Sequence, residues 1–285
     1  WDLFAKHLRR AVEVVAEGID WHIEHQHLFY PELALSLLCH GTIEKGVDAS
    51  HGGVEFINIG VDGAALATAA DSFAAIEQCV ERERSVTWSE LYYALGQRWW
   101  RACRIRMLMQ TVPGFGRGGT RGDYWAQRIV RTFSELIAGR PTPTGHKMTP
   151  GLFSWASTIP MGRQTGATPD GRGAGEPISF GANPNAGRLH GGPLTPTAMS
   201  TAIAAVQPGY GNPAPFQFDL DPGAVSDEEG SAKVEALIRT HFRLGGTLIN
   251  ANVLDRRTIL EACRQPAKYP DLVVRVTGFS AYFAS

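Results

Sequence analysis

Along residues 2 to 25 apolar positions recur at Leu3, Phe4, Leu8, Val12, Val15 and Ile19. That is the spacing of one helix face. A second helix is expected over 31 to 45, stopped by Gly46. The stretch 48 to 63 sets Val54, Phe56, Ile57 and Ile59 between glycines, which predicts a short strand and loop. An Ala-rich helix follows over 64 to 84. Thr87 stands three residues before Glu90, the spacing of a reciprocal capping box, so a helix should run from there to about 106. Glycines crowd 114 to 122, a loop, and another helix is expected from about Asp123 to Ala138.

The pattern then changes. Thirteen of the seventeen prolines fall between Pro141 and Pro222, which excludes long helices there. The exception is 195 to 206, where Pro196 opens a run of small residues suited to a helix start. Phe153, Trp155, Phe180, Tyr210, Phe216 and Phe218 lie in this segment, so packing is expected rather than disorder. Periodicity returns with Ser226 to Glu229, a second capping box, and a helix to about Leu244. A strand over 246 to 254, a short helix over 256 to 264 and a strand over 272 to 277 complete the chain. Helices and short strands interleave without internal repeats, which predicts an α/β fold.

Composition narrows the function classes. The chain has 285 residues, 44% of them hydrophobic, enough for a sizeable core. A net charge of −1 leaves no basic footprint for nucleic acid. No apolar run reaches the ~18 residues of a membrane span. The first residue is Trp1 rather than Met, so the chain reads as a piece of something longer. Cys39, Cys79, Cys103 and Cys263 show no metal-binding spacing. The first three sit in helix-like apolar surroundings, which predicts buried free thiols in a cytoplasmic protein.

One residue breaks its local pattern. In "DLVVRVTGFSAYF", residues 271 to 283, Gly278 interrupts a strand. Such a glycine marks a bulge, a tight bend or a close backbone approach. The run "RVTGFSAYF" resembles the Arg-Val-x-Gly-Tyr-x-x-x-Phe signature of the glycyl radical enzymes, the family that includes pyruvate formate-lyase, with Phe279 in place of tyrosine. "GTLINANVLDRRTILEACRQPAKYPDLVVRV" (246–276) and "GATPDGRGAGEP" (166–177) match further stretches of that family. "IEKGVDASHGGVEF" and "ADSFAAIEQCV" match weaker ones. The resemblance covers nearly the whole chain and looks closer to the lyase, dehydratase and decarboxylase branches than to pyruvate formate-lyase itself.

The resemblance implies part of a ten-stranded α/β barrel over 1–180 and a glycyl radical domain, truncated at its end, over 181–285. It implies that Gly278 loses an α-hydrogen and stores the unpaired electron, with Arg275 and Phe279 supporting the radical loop. A separate SAM-dependent iron–sulfur activating enzyme would install that radical, and the chain itself would hold no bound cofactor and no metal. A homodimer and a small organic substrate are implied as well. The radical would pass to a cysteine in a Gly-Cys-x-Glu loop. No Gly-Cys pair occurs among the 285 residues, so that loop is expected before Trp1. Cys39 is the nearest candidate by position, but it is expected on a helix and lacks the motif.

The chemistry expected is cleavage of a C–C, C–O or C–S bond. The alternatives are a synthase adding a hydrocarbon to fumarate and a non-catalytic repair polypeptide. For the pocket, Phe153 and Trp155 alternate in strand fashion and are candidate walls, with core packing the other reading. Glu44 is a candidate polar pocket residue, with a solvated helix end the other reading. His146 and His51 stay ambiguous.

Overall fold

A computed structural model describes residues 1–154, 157–185, 214–276 and 279–284, and at 224, 225, 276 and 279 it describes the main chain alone. The chain divides into two compact units. The first holds Trp1–Val61 and Thr132–Pro150, the second Asp62–Arg131 and Gly151–Ser285.

The first unit is built on α1 (Asp2–Phe29), which buries Val12 and Ala16. The helix expected over 31–45 is broken in two, α2 (Leu33–Leu38) and α3 (Thr42–Lys45). The break is at Gly41, whose φ of 88° is left-handed and closes the turn before Thr42. Cys39 therefore lies at the end of α2 in extended conformation rather than inside a helix. A 3₁₀ turn (Ala49–His51) is held by Asp48, which accepts from the Ser50 main chain and from the Ser36 hydroxyl. Asp20 of α1 ties down the loop 142–146 by accepting from Thr144 Oγ1 at 2.5 Å and from Thr144 N–H at 2.8 Å. Burial pushes the Asp20 carboxyl up, but the Thr142, Thr144 and His146 hydrogen bonds outweigh it and hold the pKa at about 2. The strands β1 (Ile59–Asp62) and β2 (Met148–Gly151) pair in a two-stranded sheet.

In the second unit α4 (Leu66–Ala75) is alanine-rich, so it packs with Ala67, Ala70, Ala74 and Ala75 fully buried. It continues as a π-helical turn over Ile76–Arg82. Glu77 of that turn accepts from Arg121 Nε and Trp125 Nε1 of α7 (Arg121–Ala138), whose residues fall in both units. The capping box expected at Thr87 is present and starts α5 (Trp88–Gly96). That helix does not reach 106. Arg98, Trp99 and Arg101 all have positive φ, the chain turns, and α6 (Cys103–Thr111) restarts it. β2 ends before Phe153, so the strand alternation expected through Phe153 and Trp155 does not hold at Phe153. Trp155 lies outside the described residues, as does the helix start expected over 195–206.

After α8 (Thr158–Gln164) the last third forms one βαβ unit: β3 (Phe216–Leu220), α9 (Glu228–Arg243) and β4 (Ile249–Val253). β3 was not expected as a strand; Phe216 and Phe218, with Gln217 and Asp219 alternating between them, are its signature. The capping box expected at Ser226 is displaced by one residue. Asp227 caps α9 through the Gly230 N–H, which leaves Gly230 at the position a reciprocating glutamate would occupy. β3 and β4 run parallel, as a crossover through a helix requires. The chain ends with α10 (Arg256–Arg264), capped by Asp255, and an antiparallel hairpin of β5 (Val273–Val276) and β6 (Phe279–Tyr282).

Of the three thiols expected to be buried, only Cys79 is; Cys39 is half-buried and Cys103 exposed, as is the fourth cysteine, Cys263. No helix among the described residues is long and apolar enough to cross a membrane.

Replacing Thr87 by alanine removes the hydroxyl that accepts from Glu90 N–H and donates to Glu90 Oε2, while the Thr87 N–H keeps its bond to Glu90, a loss of about 1 kcal/mol. Amide exchange over Leu91–Gly96 should accelerate about fivefold, and exchange unchanged from the wild type would show that α5 is held by packing alone.

Candidate functional site

The hairpin β5–β6 is the element on which the sequence concentrates its chemistry. Its register pairs Val273 with Tyr282, Val274 with Ala281, Arg275 with Ser280 and Val276 with Phe279. Phe283 N–H donates to Leu272 C=O at 2.7 Å and extends the pairing beyond the last bridge. Thr277 and Gly278, between the paired Val276 and Phe279, lie outside the described residues.

What holds this hairpin is the sheet β3–β4. Along β3 the side chains alternate. Phe216, 1% exposed, goes to the core, and Gln217 and Asp219 go to the other face. The parallel register sets Gln217 beside Asn250 and Asp219 beside Asn252. One face of this sheet is thus a row of amides and one carboxylate. Asn252 Oδ1 accepts from Arg275 N–H at 2.6 Å, and Asn252 Nδ2 donates to Arg275 C=O at 3.1 Å. Gln217 Nε2 donates to the same carbonyl at 2.8 Å. Asp219 Oδ1 accepts from Asn252 Nδ2 at 2.8 Å. Asn250 is buried, and its Nδ2 has no partner among the described residues. The guanidinium of Arg275 reaches outward to Ser280 Oγ at 3.5 Å.

The apolar side of the same sheet rests on His241 of α9, which is fully buried. Its ring stacks on Phe216 at 5.3 Å and meets Phe242 edge-on. Gly246 permits this: a methyl there would collide with the imidazole. Burial pushes the His241 pKa below its ordinary value, although a hydrogen bond with the Leu248 main chain opposes the shift.

A second constellation surrounds the "PDGR" segment. The Arg172 guanidinium is buried and donates to the carbonyls of Glu176, Thr165 and Gly166, so it fixes the curvature of the loop 165–176. Trp99 Nε1 donates to Arg172 C=O, and Arg106 and Gln110 both donate to Gly171 C=O. Thr68 and Ser179 exchange hydrogen bonds between main chain and hydroxyl, which docks the segment on α4. Asn185 donates to the buried carboxylates of Asp71, at 2.7 Å, and Asp170, at 3.4 Å. A cavity of about 650 Å³ opens here, lined among others by Arg106, Gln110, Arg172, Ile178, Phe180 and Asn183.

The other candidates fall elsewhere. Glu44 is exposed on α3 of the first unit. Phe153 is half-buried just after β2, in the second unit. His146 Nδ1 lies 2.9 Å from Thr144 Oγ1 and 3.3 Å from Asp20, a loop tie. His51 stacks on His27 with centroids 3.6 Å apart. Asn252 and Gln217 were not expected as site residues. Their only sequence signal was amides at alternate strand positions, where strand propensity is poor. Among the described residues no cluster of His, Cys, Asp or Glu is fit to hold a metal.

His241 carries a pH dependence with a definite sign. Its folded pKa lies below the unfolded value near 6.5, so its contribution is complete above pH 6.5 and declines as the pH falls below that value. Amide protection across β3 and β4 should therefore drop between pH 7.5 and 5.5, and His241→Phe should flatten that profile. A wild-type profile that stays level over this range would contradict the assignment.

Comparison with known proteins supplies the context. A model described as pyruvate formate lyase-like matches residues 1–162, and one described as glycine radical matches residues 178–284. Trans-4-hydroxy-L-proline dehydratase of Clostridioides difficile is 28% identical over 99% of this chain and 36% of its own length. (2S)-3-sulfopropanediol dehydratase of Klebsiella oxytoca is 29% identical over 84% of this chain and 29% of its own. A solved structure concerned with 1,2-propanediol dehydration in Roseburia inulinivorans superposes with a TM-score of 0.81 at 29% identity, over 99% of this chain and 36% of that one. The chain thus spans about a third of the length of these relatives.

Proposed function

The chain belongs to the pyruvate formate lyase-like glycyl radical enzymes, and on that premise we propose that Gly278 stores the radical of a lyase that cleaves a C–O bond in a small hydroxylated substrate. The observation that carries this reading is the hairpin β5–β6, whose Arg275 main chain is bracketed by Asn252 and Gln217 within the segment matched by the glycine radical model. The two matched segments support a division into a barrel part, residues 1–180, and a radical domain, residues 181–285. The preference for C–O over C–C or C–S cleavage rests on relatives named as dehydratases.

The chemistry assigned to Gly278 follows from its lack of a side chain. Removing one α-hydrogen leaves a planar carbon between two amides, across which the spin spreads, and a Cβ would crowd that plane. A radical-SAM activating enzyme takes this hydrogen atom. The glycyl carbon then recovers a hydrogen from a cysteine thiol contributed by sequence before Trp1, and the thiyl takes one from substrate carbon. The substrate radical expels water, and the thiol returns its hydrogen to the product. Phe153, with Trp155, would wall the pocket, and Glu44 is kept as its polar residue. Phe279 would support the loop from the other side of Gly278. The working enzyme is read as a cytoplasmic, oxygen-sensitive homodimer.

Full-length protein activated anaerobically should give an EPR doublet near the free-electron g value, and air should then cut the chain at Gly278. Gly278→Ala should abolish both, and a doublet that survives this change removes the assignment. Activated enzyme offered diols, trans-4-hydroxyproline, isethionate and arylacetates should release water from at least one hydroxylated substrate. If no product forms from any of the four, the lyase reading falls.

A further inference from the structure

Strands usually join a sheet through a ladder of main-chain bonds. Here the hairpin meets the β3–β4 platform differently. Among the described residues, the hydrogen bonds that join the two converge on the main chain of one residue, Arg275, and all come from side chains. Asn252 meets both the N–H and the C=O of Arg275, so its amide stands in for a strand neighbour. An amide can do this in only one of its two orientations, with oxygen toward the N–H and nitrogen toward the C=O. Asp219 selects it. Its carboxylate only accepts, so it takes Nδ2 of Asn252 and turns Oδ1 toward Arg275. Gln217 adds a second donor to the same carbonyl.

We infer that Asn252, oriented by Asp219 and seconded by Gln217, is the positioning residue that sets where Gly278 sits for hydrogen transfer. This inference rests on the radical reading of Gly278. The lever arm is short: Gly278 is three steps along the chain from Arg275, at most about 11 Å. Radical relay between carbon and sulfur needs the two atoms in near contact, and a misplacement of about 1 Å in such a geometry costs about 100-fold in rate. A strand held by a ladder would resist the loss of any one bond. Among the described residues this strand is held at Arg275, and a bond lost there is passed toward the tip.

The test uses full-length enzyme and separates two readouts. In unactivated protein, hydrogen exchange over Val273–Tyr282 should rise at least tenfold in Asn252→Ala, while exchange in α4 and α7 is unchanged. After activation, Asn252→Ala should hold its EPR doublet within twofold of wild type per chain, yet kcat per radical should fall at least tenfold at unchanged KM. Gln217→Ala should show the same pattern at smaller amplitude and serves if Asn252→Ala does not fold. Asn252→Asp places two carboxylates together and should behave like the alanine variant. Adding Asp219→Asn removes that charge pair but leaves an acceptor-only carboxylate against the Arg275 carbonyl, so the rate should stay within twofold of the Asn252→Asp variant. Unchanged hairpin exchange, or faster exchange with kcat per radical unaltered, overturns the inference, and so does full recovery of the rate in the double variant. A doublet persisting in Gly278→Ala would defeat the radical reading instead, and the exchange result would then still report on the clamp.

Discussion

Among the described residues, the C-terminal hairpin meets its sheet through side-chain amides placed against one main-chain amide. Asn252 offers Arg275 what a neighbouring strand would offer, one acceptor and one donor at matching spacing. Buried polar groups are ordinarily paired, and the sheet β3–β4 is held by side chains on both faces. On one face Gln217, Asp219 and Asn252 bond to the hairpin and to one another. On the other, Phe216 is sealed by the His241 ring, which in turn requires Gly246 to lack a side chain. Hairpin, sheet and α9 are therefore one mechanical stack, and a change in any layer reaches the next.

The "PDGR" loop obeys the same logic with different groups. Arg172 is a buried cation that spends its donors on neutral carbonyls of its own loop. Trp99, Arg106 and Gln110 approach from outside and bond to the loop carbonyls. The loop can thus be irregular, rich in glycine and proline, and still hold one shape. Trp99 reaches it from a turn in which Arg98, Trp99 and Arg101 all take left-handed backbone angles, a local cost offset by this docking.

Long periodic elements were legible from the sequence. α1, α4, α7, α9 and α10 announce themselves by apolar spacing or caps, and the Thr87 box is present as read. The breaks were not. Gly41 was outvoted by the apolar residues flanking it, and the turn at 97–102 has no glycine or proline to mark it, because tertiary docking imposes it. The cap at Asp227 rather than Ser226 shows that two adjacent capping residues leave the boundary open by one position. The hairpin was legible through its signature, but its clamp was not. Asn252 bonds to a residue 23 positions away, and Gln217 to one 58 away, separations across which local pattern carries no information.

Those separations also order the assembly of the fold in time. β5 and β6 pair across a few residues, and such hairpins close in about 1–10 μs. The platform joins Asp219 to Asn252 across 33 residues, so it must first close a much longer loop through α9. The hairpin is then a fast local module that waits for a slower surface to dock on. The rate at which α9 brings β4 alongside β3 thus governs when the hairpin finds its seat in refolding.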